Sequence, residues 1–320
     1  MRIRPVVLLF GALLFGILTG CDPRDSAPQQ INPTFESQST PGFPRTITDS
    51  RGKQITIKTE PQRIVSLAPS NTEILFALGV DKRIVAVTTA CDYPEAAKSL
   101  PNVGGYPISL EKVQVKNPDL VVTVGTINQT ITDLLEKANI PVVVVDPKNM
   151  GQNYDAIRIL GKAVGADKKA DEVVGQMMKE FNMVRSKAGQ MKGRPKVAIL
   201  YQTRPLYTTG PGTFIDDAIR AAGGQNIVDK PLPQNIISPE QVLTAAPEVI
   251  ICSPAMESEI KRMPGWATGV PAVKNNRFYH APNSSALVRP GPRLPKAILE
   301  LAAYLHPEAF PTAPATPPKP

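Results

Sequence analysis

Few side chains in this sequence could make or break bonds. Its 320 residues include two histidines and three cysteines. A zinc or manganese site needs three or four converging His, Asp, Glu or Cys ligands, so no metal centre is expected. No Gly-x-Gly-x-x-Gly follows the first apolar strand; Ala68-Pro69-Ser70-Asn71-Thr72-Glu73 stands there instead, and Thr209–Gly212 is too short to serve. There is no P-loop, no Gly-x-Ser-x-Gly and no histidine beside a plausible nucleophile, and the Ser284-Ser285 pair has no evident base. The sequence is read as no enzyme, with no catalytic residue and no cofactor.

What remains is a pair of carboxylates. "ISLEKVQVKNPDLVVTV" (108–124) and "ISPEQVLTAAPEVIICS" (237–253) align without a gap at an offset of 129. They share Ile, Ser, Glu, Val and Pro, and each continues with an acid and an aliphatic run. Ser109 and Ser238 fit N-caps, which puts Glu111 and Glu240 at the second helical position; Pro239 and Gln241 strengthen the second case. A carboxylate in the first turn gains from the helix dipole. That alone does not explain one at the same place in each copy. Two acids on two lobes would also form a docking surface for arginines of a partner, and periodicity leaves both readings open.

The elements that must position these residues alternate. "RTITDSRGKQITIKT" reads as a hairpin. After it come the strand "RIVSLAP", a helix opening on a Ser70–Glu73 capping box and closing on Gly79, the strand "RIVAVT", the helix "SLEKVQVK", the strand "DLVVTVG", a further helix and the strand "PVVVVD". Near-continuous apolar strands between helices predict a parallel sheet covered on both faces. Residues 151–193 hold no strand: "YDAIRILGKAV" is one helix, and "ADKKADEVVGQMMKEFNMVRSKAGQ" is a much longer one. Its Val173, Val174, Met177, Met178, Phe181 and Val184 recur at helical spacing and read as packing. The α/β pattern then restarts, with "AAGGQNIV" answering "ALGVDKRIV". The fold class is α/β: two similar parallel-sheet lobes joined by one long helix.

The first twenty residues carry Arg2, Arg4 and a fifteen-residue apolar run, short for a membrane span and right for a signal peptide. Leu18-Thr19-Gly20-Cys21 resembles a bacterial lipobox, which makes Cys21 the expected lipidation site of an exported, membrane-anchored protein. Removing Arg2 and Arg4 from the +8 chain leaves 34 basic against 28 acidic side chains, or +6. No basic run accompanies that charge, which argues against nucleic acid. The expected organisation is a signal peptide (1–20), lipidated cysteine and tether (21–43), first lobe (44–150), linking helices (151–193), second lobe (194–310) and a Pro-rich tail (311–320). Spacing does not say whether Cys91 and Cys252, 161 residues apart, meet in a disulfide.

"RIVSLAPSNTEILFALG", "CDYPEAAKSLPNVGGY", "SLEKVQVKNPDLVV" and "ISPEQVLTAAPEVII" resemble the periplasmic solute-binding proteins of ABC importers for iron-siderophores, haem and vitamin B12. The resemblance covers about residues 45–308. It implies a monomer with its ligand held between the lobes, docking on a permease dimer through one glutamate per lobe, here Glu111 and Glu240. The "CDYPEAAKSLPNVGGY" stretch looks most like the cobalamin-binding members, whose cleft aromatics map onto Tyr93, Tyr106 and Tyr201, with Arg289 as a polar contact. Tyrosine faces suit a corrin ring. The sequence departs from that pattern in having Gln234 where an aromatic residue might stand. The alternatives are a ferric siderophore, for which Arg204, Arg289 and Arg293 could begin a basic cleft, and haem, for which His280 is a candidate, though a structural role is the better reading for it.

Overall fold

The computed structural model describes residues 42–125, 128–281 and 284–311. The expected signal peptide, Cys21 and nearly all of the tether lie outside the described residues, as does the tail from residue 312. Arg45–Thr48 (β1) and Gln54–Ile57 (β2) pair antiparallel, as their alternation predicts. Buried Asp49 organises the turn: Oδ1 accepts from the Arg51 amide at 2.9 Å and Oδ2 from the Val144 amide at 3.2 Å, which fastens the hairpin to the neighbouring sheet.

The first lobe runs through Ile64–Ser66 (β3), Pro69–Ala77 (α1), Ile84–Val87 (β4), Leu110–Gln114 (α2), Leu120–Thr123 (β5), Gln129–Lys137 (α3) and Val142–Val144 (β6). Its sheet is parallel, in the order β4-β3-β5-β6. Successive side chains point to opposite faces, so Ile64 and Val122 enter one core while Val65 and Val121 enter the other. This two-sided burial is what continuous β-branched runs demand.

Met150–Val164 (α4) and Asp167–Ala188 (α5) follow, with no strand between. At 22 residues α5 is ~33 Å long. Ala170, Val174 and Met177, near its start, belong to the first lobe's core, whereas Val184 and Ala188 belong to the second lobe's. Val173 and Met178 pack against the first core and Phe181 against the second, so the apolar stripe is packing, as its spacing predicts. Gly161 of α4 lies against Ala170 of α5, and a Cβ there would overlap the Ala170 Cβ and stand 3.3 Å from the Ala166 carbonyl oxygen. Overpacking of this kind costs about 2 kcal/mol. Gly161→Val should therefore lower the thermal midpoint measurably, while the same change at exposed Gly175, which has open space, should do far less.

The second lobe comprises Lys196–Ile199 (β7), Gln202–Thr203 (β8), Leu206–Tyr207 (β9), Phe214–Ala221 (α6), Gln225–Asn226 (β10), Pro239–Ala245 (α7), Val249–Ile251 (β11), Pro254–Lys261 (α8), Trp266–Gly269 (α9), Pro271–Lys274 (α10), Phe278–Tyr279 (β12), Ser284–Val288 (α11) and Leu294–Leu305 (α12). Its parallel sheet has the order β10-β7-β11-β12. In both lobes the strands lie second, first, third, fourth. The sequence repeat is therefore a repeat of topology, and "AAGGQNIV" and "ALGVDKRIV" lead into equivalent edge strands. One local reading is corrected. The first residue of α1 is Pro69 and its N-cap is Ala68, so Ser70 and Glu73 form no capping box. Gly79, at φ 74°, does follow the C-cap as expected.

Candidate functional site

In open α/β sheets ligands bind beyond the carboxyl ends of the strands, where the strand order reverses. Each lobe has one such point, between its first and third strands. In the first lobe Asn128 occupies it, donating from Nδ2 to the Leu67 carbonyl at 3.1 Å and to Thr123 Oγ1 at 3.0 Å. In the second lobe it is open. Leu200 and Tyr201 leave β7, and Cys252 and Ser253 leave β11, around a cavity of 330 Å³ that Met256 and Leu287 help to line. Asp92 of the first lobe and Arg289 of the second also line it.

Charges of the two lobes meet beside this cavity. Arg289 Nη1 donates to Asp92 Oδ1 at 2.5 Å and approaches Glu73 Oε1 at 3.4 Å. Arg293 grips Glu73 with two hydrogen bonds, Nε to Oε2 at 2.8 Å and Nη2 to Oε1 at 2.5 Å. The Glu73 side chain is 2% exposed, so its charge is held by these partners rather than by water. The hydrogen bond from Arg289 keeps the Asp92 carboxyl below its ordinary range. Burial works against the Arg289 charge, but the hydrogen bond and charge of Asp92, with the Glu73 carboxylate, outweigh it and raise that pKa. The Arg293 guanidinium also lies over the Tyr93 ring, 3.8 Å from its centroid.

Among the aromatic candidates, Tyr201 lines the cavity and exposes 41% of its surface. Tyr93, next to Asp92, stands at the inter-lobe charges and is 42% exposed. Tyr106 is outside the cavity lining and 76% exposed. Arg204 does not join the other arginines: it pairs with Glu259 at 2.7 Å on a separate groove. His280 is committed to structure, with Nδ1 3.0 Å from the Cys252 carbonyl and Nε2 2.7 Å from Glu257. Cys91 and Cys252 are free thiols. Cys91 sits in the first lobe's core against Thr72 and Thr88, while Cys252 faces the cavity with its pKa raised to about 12 by burial. Among the described residues no group of three or more His, Cys, Asp or Glu could hold a metal ion, and no helix is long and apolar enough to cross a membrane.

The two repeated glutamates stand alike. Ser109 Oγ accepts from the Lys112 amide and Ser238 Oγ from the Gln241 amide, and α7 has the full capping box. Glu111 and Glu240 are exposed in the first turns of α2 and α7. The Ser109 hydroxyl, 2.6 Å from Glu111, and the residue's own amide lower its pKa; for Glu240 its own amide acts first and Ser238 second. Val115, one turn beyond Glu111, is 75% exposed.

Residues 64–284 match the periplasmic binding protein family. The chain belongs to that family. Over 312 residues, 95% of this chain and 96% of the relative, it is 31% identical to an uncharacterized ABC transporter substrate-binding lipoprotein, YvrC, of Bacillus subtilis. It is 29% identical to the vitamin B12-binding protein of Pectobacterium carotovorum, covering 77% of this chain and 88% of that protein. Among solved structures, the periplasmic haem-binding protein RhuT of Roseiflexus is similar at 28% identity and TM-score 0.69, covering 78% of this chain and 99% of that one. The periplasmic vitamin B12-binding protein of Vibrio cholerae is similar at 25% and 0.67, covering 77% and 97%. This periplasmic binding protein is thus a substrate-binding component of an ABC transporter, and not an enzyme.

Sequence reasoning had not singled out Glu73, Asp92, Ser253 or Met256 as site residues. Glu73 is the one charged residue of α1, and that is its only local signal. Nothing local marks its partners, which lie 216 and 220 residues away.

Proposed function

We propose that the protein captures a corrinoid between its lobes, is tethered through a lipidated Cys21, and hands its ligand to the permease through Glu111 and Glu240. The observation that carries the ligand class is the charge state of the cleft. Arg289 and Arg293 are already neutralised by Asp92 and Glu73, and Arg204 by Glu259 on another face. No spare cation is left among these three to hold a strongly anionic ferric siderophore, and His280, with both ring nitrogens engaged, makes no axial ligand for haem. A neutral, amide-rimmed macrocycle asks for aromatic faces and hydrogen-bonding groups instead, which Tyr93, Tyr201 and Ser253 offer. A corrinoid is larger than 330 Å³. Its ring would therefore lie against the exposed tyrosines while an amide side chain enters the cavity. The vitamin B12-binding relatives support the same reading.

Calorimetric titration of the protein with Cys21→Ser tests it directly. Cyanocobalamin should bind one to one at micromolar concentration or tighter, while a ferric hydroxamate and haem, titrated in parallel, should give weaker heats or none. Tight binding of either alternative with no response to cyanocobalamin would transfer the ligand assignment and leave the transport role standing.

A further inference from the structure

We infer that Arg293 is a positioning residue that sets the aromatic wall of the ligand cleft, and that it acts only while the lobes are together. Arg293 precedes α12 in the second lobe, yet its guanidinium is held between two side chains of the first. Glu73 takes Nε and Nη2 in a fork-shaped pair, and the guanidinium carbon stands over the Tyr93 ring, 3.8 Å from its centroid. Nη2 also donates to Ser285 Oγ at 3.2 Å, which fixes the guanidinium from its own lobe. A planar cation locked at its edge can offer only its faces, and one face is spent on Tyr93. The ring is therefore covered on the side that Arg293 occupies, while Tyr93 as a whole remains 42% exposed. Glu73 orients Arg293 and Arg293 orients Tyr93, so the first lobe's aromatic face is fixed by a residue of the second. Lobe separation would release the ring, and ligand affinity would fall with it. Arg289, held by Asp92 at the cavity rim, serves as the control.

This inference rests on the ligand site proposed above, and two measurements separate its failure from that reading's. The first needs no ligand. A cation over a phenol shields it from electrophilic attack, so nitration of Tyr93 by tetranitromethane, read by mass spectrometry, should rise severalfold in Arg293→Met. Exposed Tyr106 and buried Tyr279 serve as internal references and should not change, nor should Tyr93 in Arg289→Met. A general loosening of the fold would nitrate Tyr279 as well; that outcome, or an unchanged Tyr93 rate, overturns the inference. The second is a double-mutant cycle on cyanocobalamin affinity. Arg293→Met and Tyr93→Ala should each weaken binding about tenfold, the double variant no more than Tyr93→Ala alone, and Arg293→Lys should lie between. Additive losses would overturn the coupling. A protein that binds no cyanocobalamin but shows the selective nitration keeps the pin and loses the corrinoid.

Discussion

Reversing both repeated carboxylates, Glu111→Arg with Glu240→Arg, abolishes solute uptake in cells and leaves solute affinity within about twofold of the parent. The expectation follows from where the two groups stand. Both are exposed, and the hydrogen bonds that hold them come from their own amides and their own cap serines, so replacing them disturbs no core. Their lowered pKa values keep them ionised at and somewhat below the ordinary carboxylate range. Their charge, and with it the proposed docking, is therefore lost to acid only at a lower pH than for free side chains. The sign for stability is the same: a depressed folded-state pKa adds stability above the unfolded value, and that stability disappears as pH falls through the folded one. A single reversal should leave reduced transport, because one prong remains. Full uptake by the double variant would reduce the repeated glutamates to helix-dipole partners.

The largest stability effect is expected at Glu73. Glu73→Ala leaves Arg293 and Arg289, with side chains 14% and 18% exposed, facing a site without its shared anion. Removing one partner of a buried, hydrogen-bonded ion pair costs about 3 kcal/mol. For a chain of this size that is a fall of about 5–10 °C in thermal midpoint. Asp92→Ala removes the more exposed acid of the same network, 51% accessible, and should cost under ~1 kcal/mol. Calorimetric melting of the two variants side by side checks the contrast. Equal, small shifts would mean that Glu73 braces nothing.

Most of the architecture was legible because it is written locally. Strands β4, β5, β6 and β11 are rich in β-branched residues, and the repeated helix starts carry Ser109 and Ser238, whose capping bonds the structure contains. The short pieces of the second lobe were not legible. Four-residue α9 and α10 and the two-residue strands β8 and β9 are too brief to show a period. The misreading at Ser70 has a definite physical cause. Ser-x-x-Glu is a capping signature when the glutamate can fold back, but Pro69 takes the first helical position and moves the cap to Ala68. Glu73 then points away, toward cations more than 200 residues distant. Local patterns reveal helices and strands; a contact made by lobe apposition leaves no periodic trace. The tyrosines and Arg289 were placed by family likeness, and the partners that neutralise Arg289 had to come from the structure.

The long helix α5 contributes residues to both lobes' cores. Neither lobe, parted from it, would own a complete interior, and the described residues all fall in one compact unit. Stability is consequently pooled. The weaker lobe cannot come apart without stripping neighbours from the stronger, so the pair is expected to melt in a single calorimetric transition. For a periplasmic binding protein, that sharing should remove the half-opened species in which one sheet lies bare to proteases while the other still holds its shape.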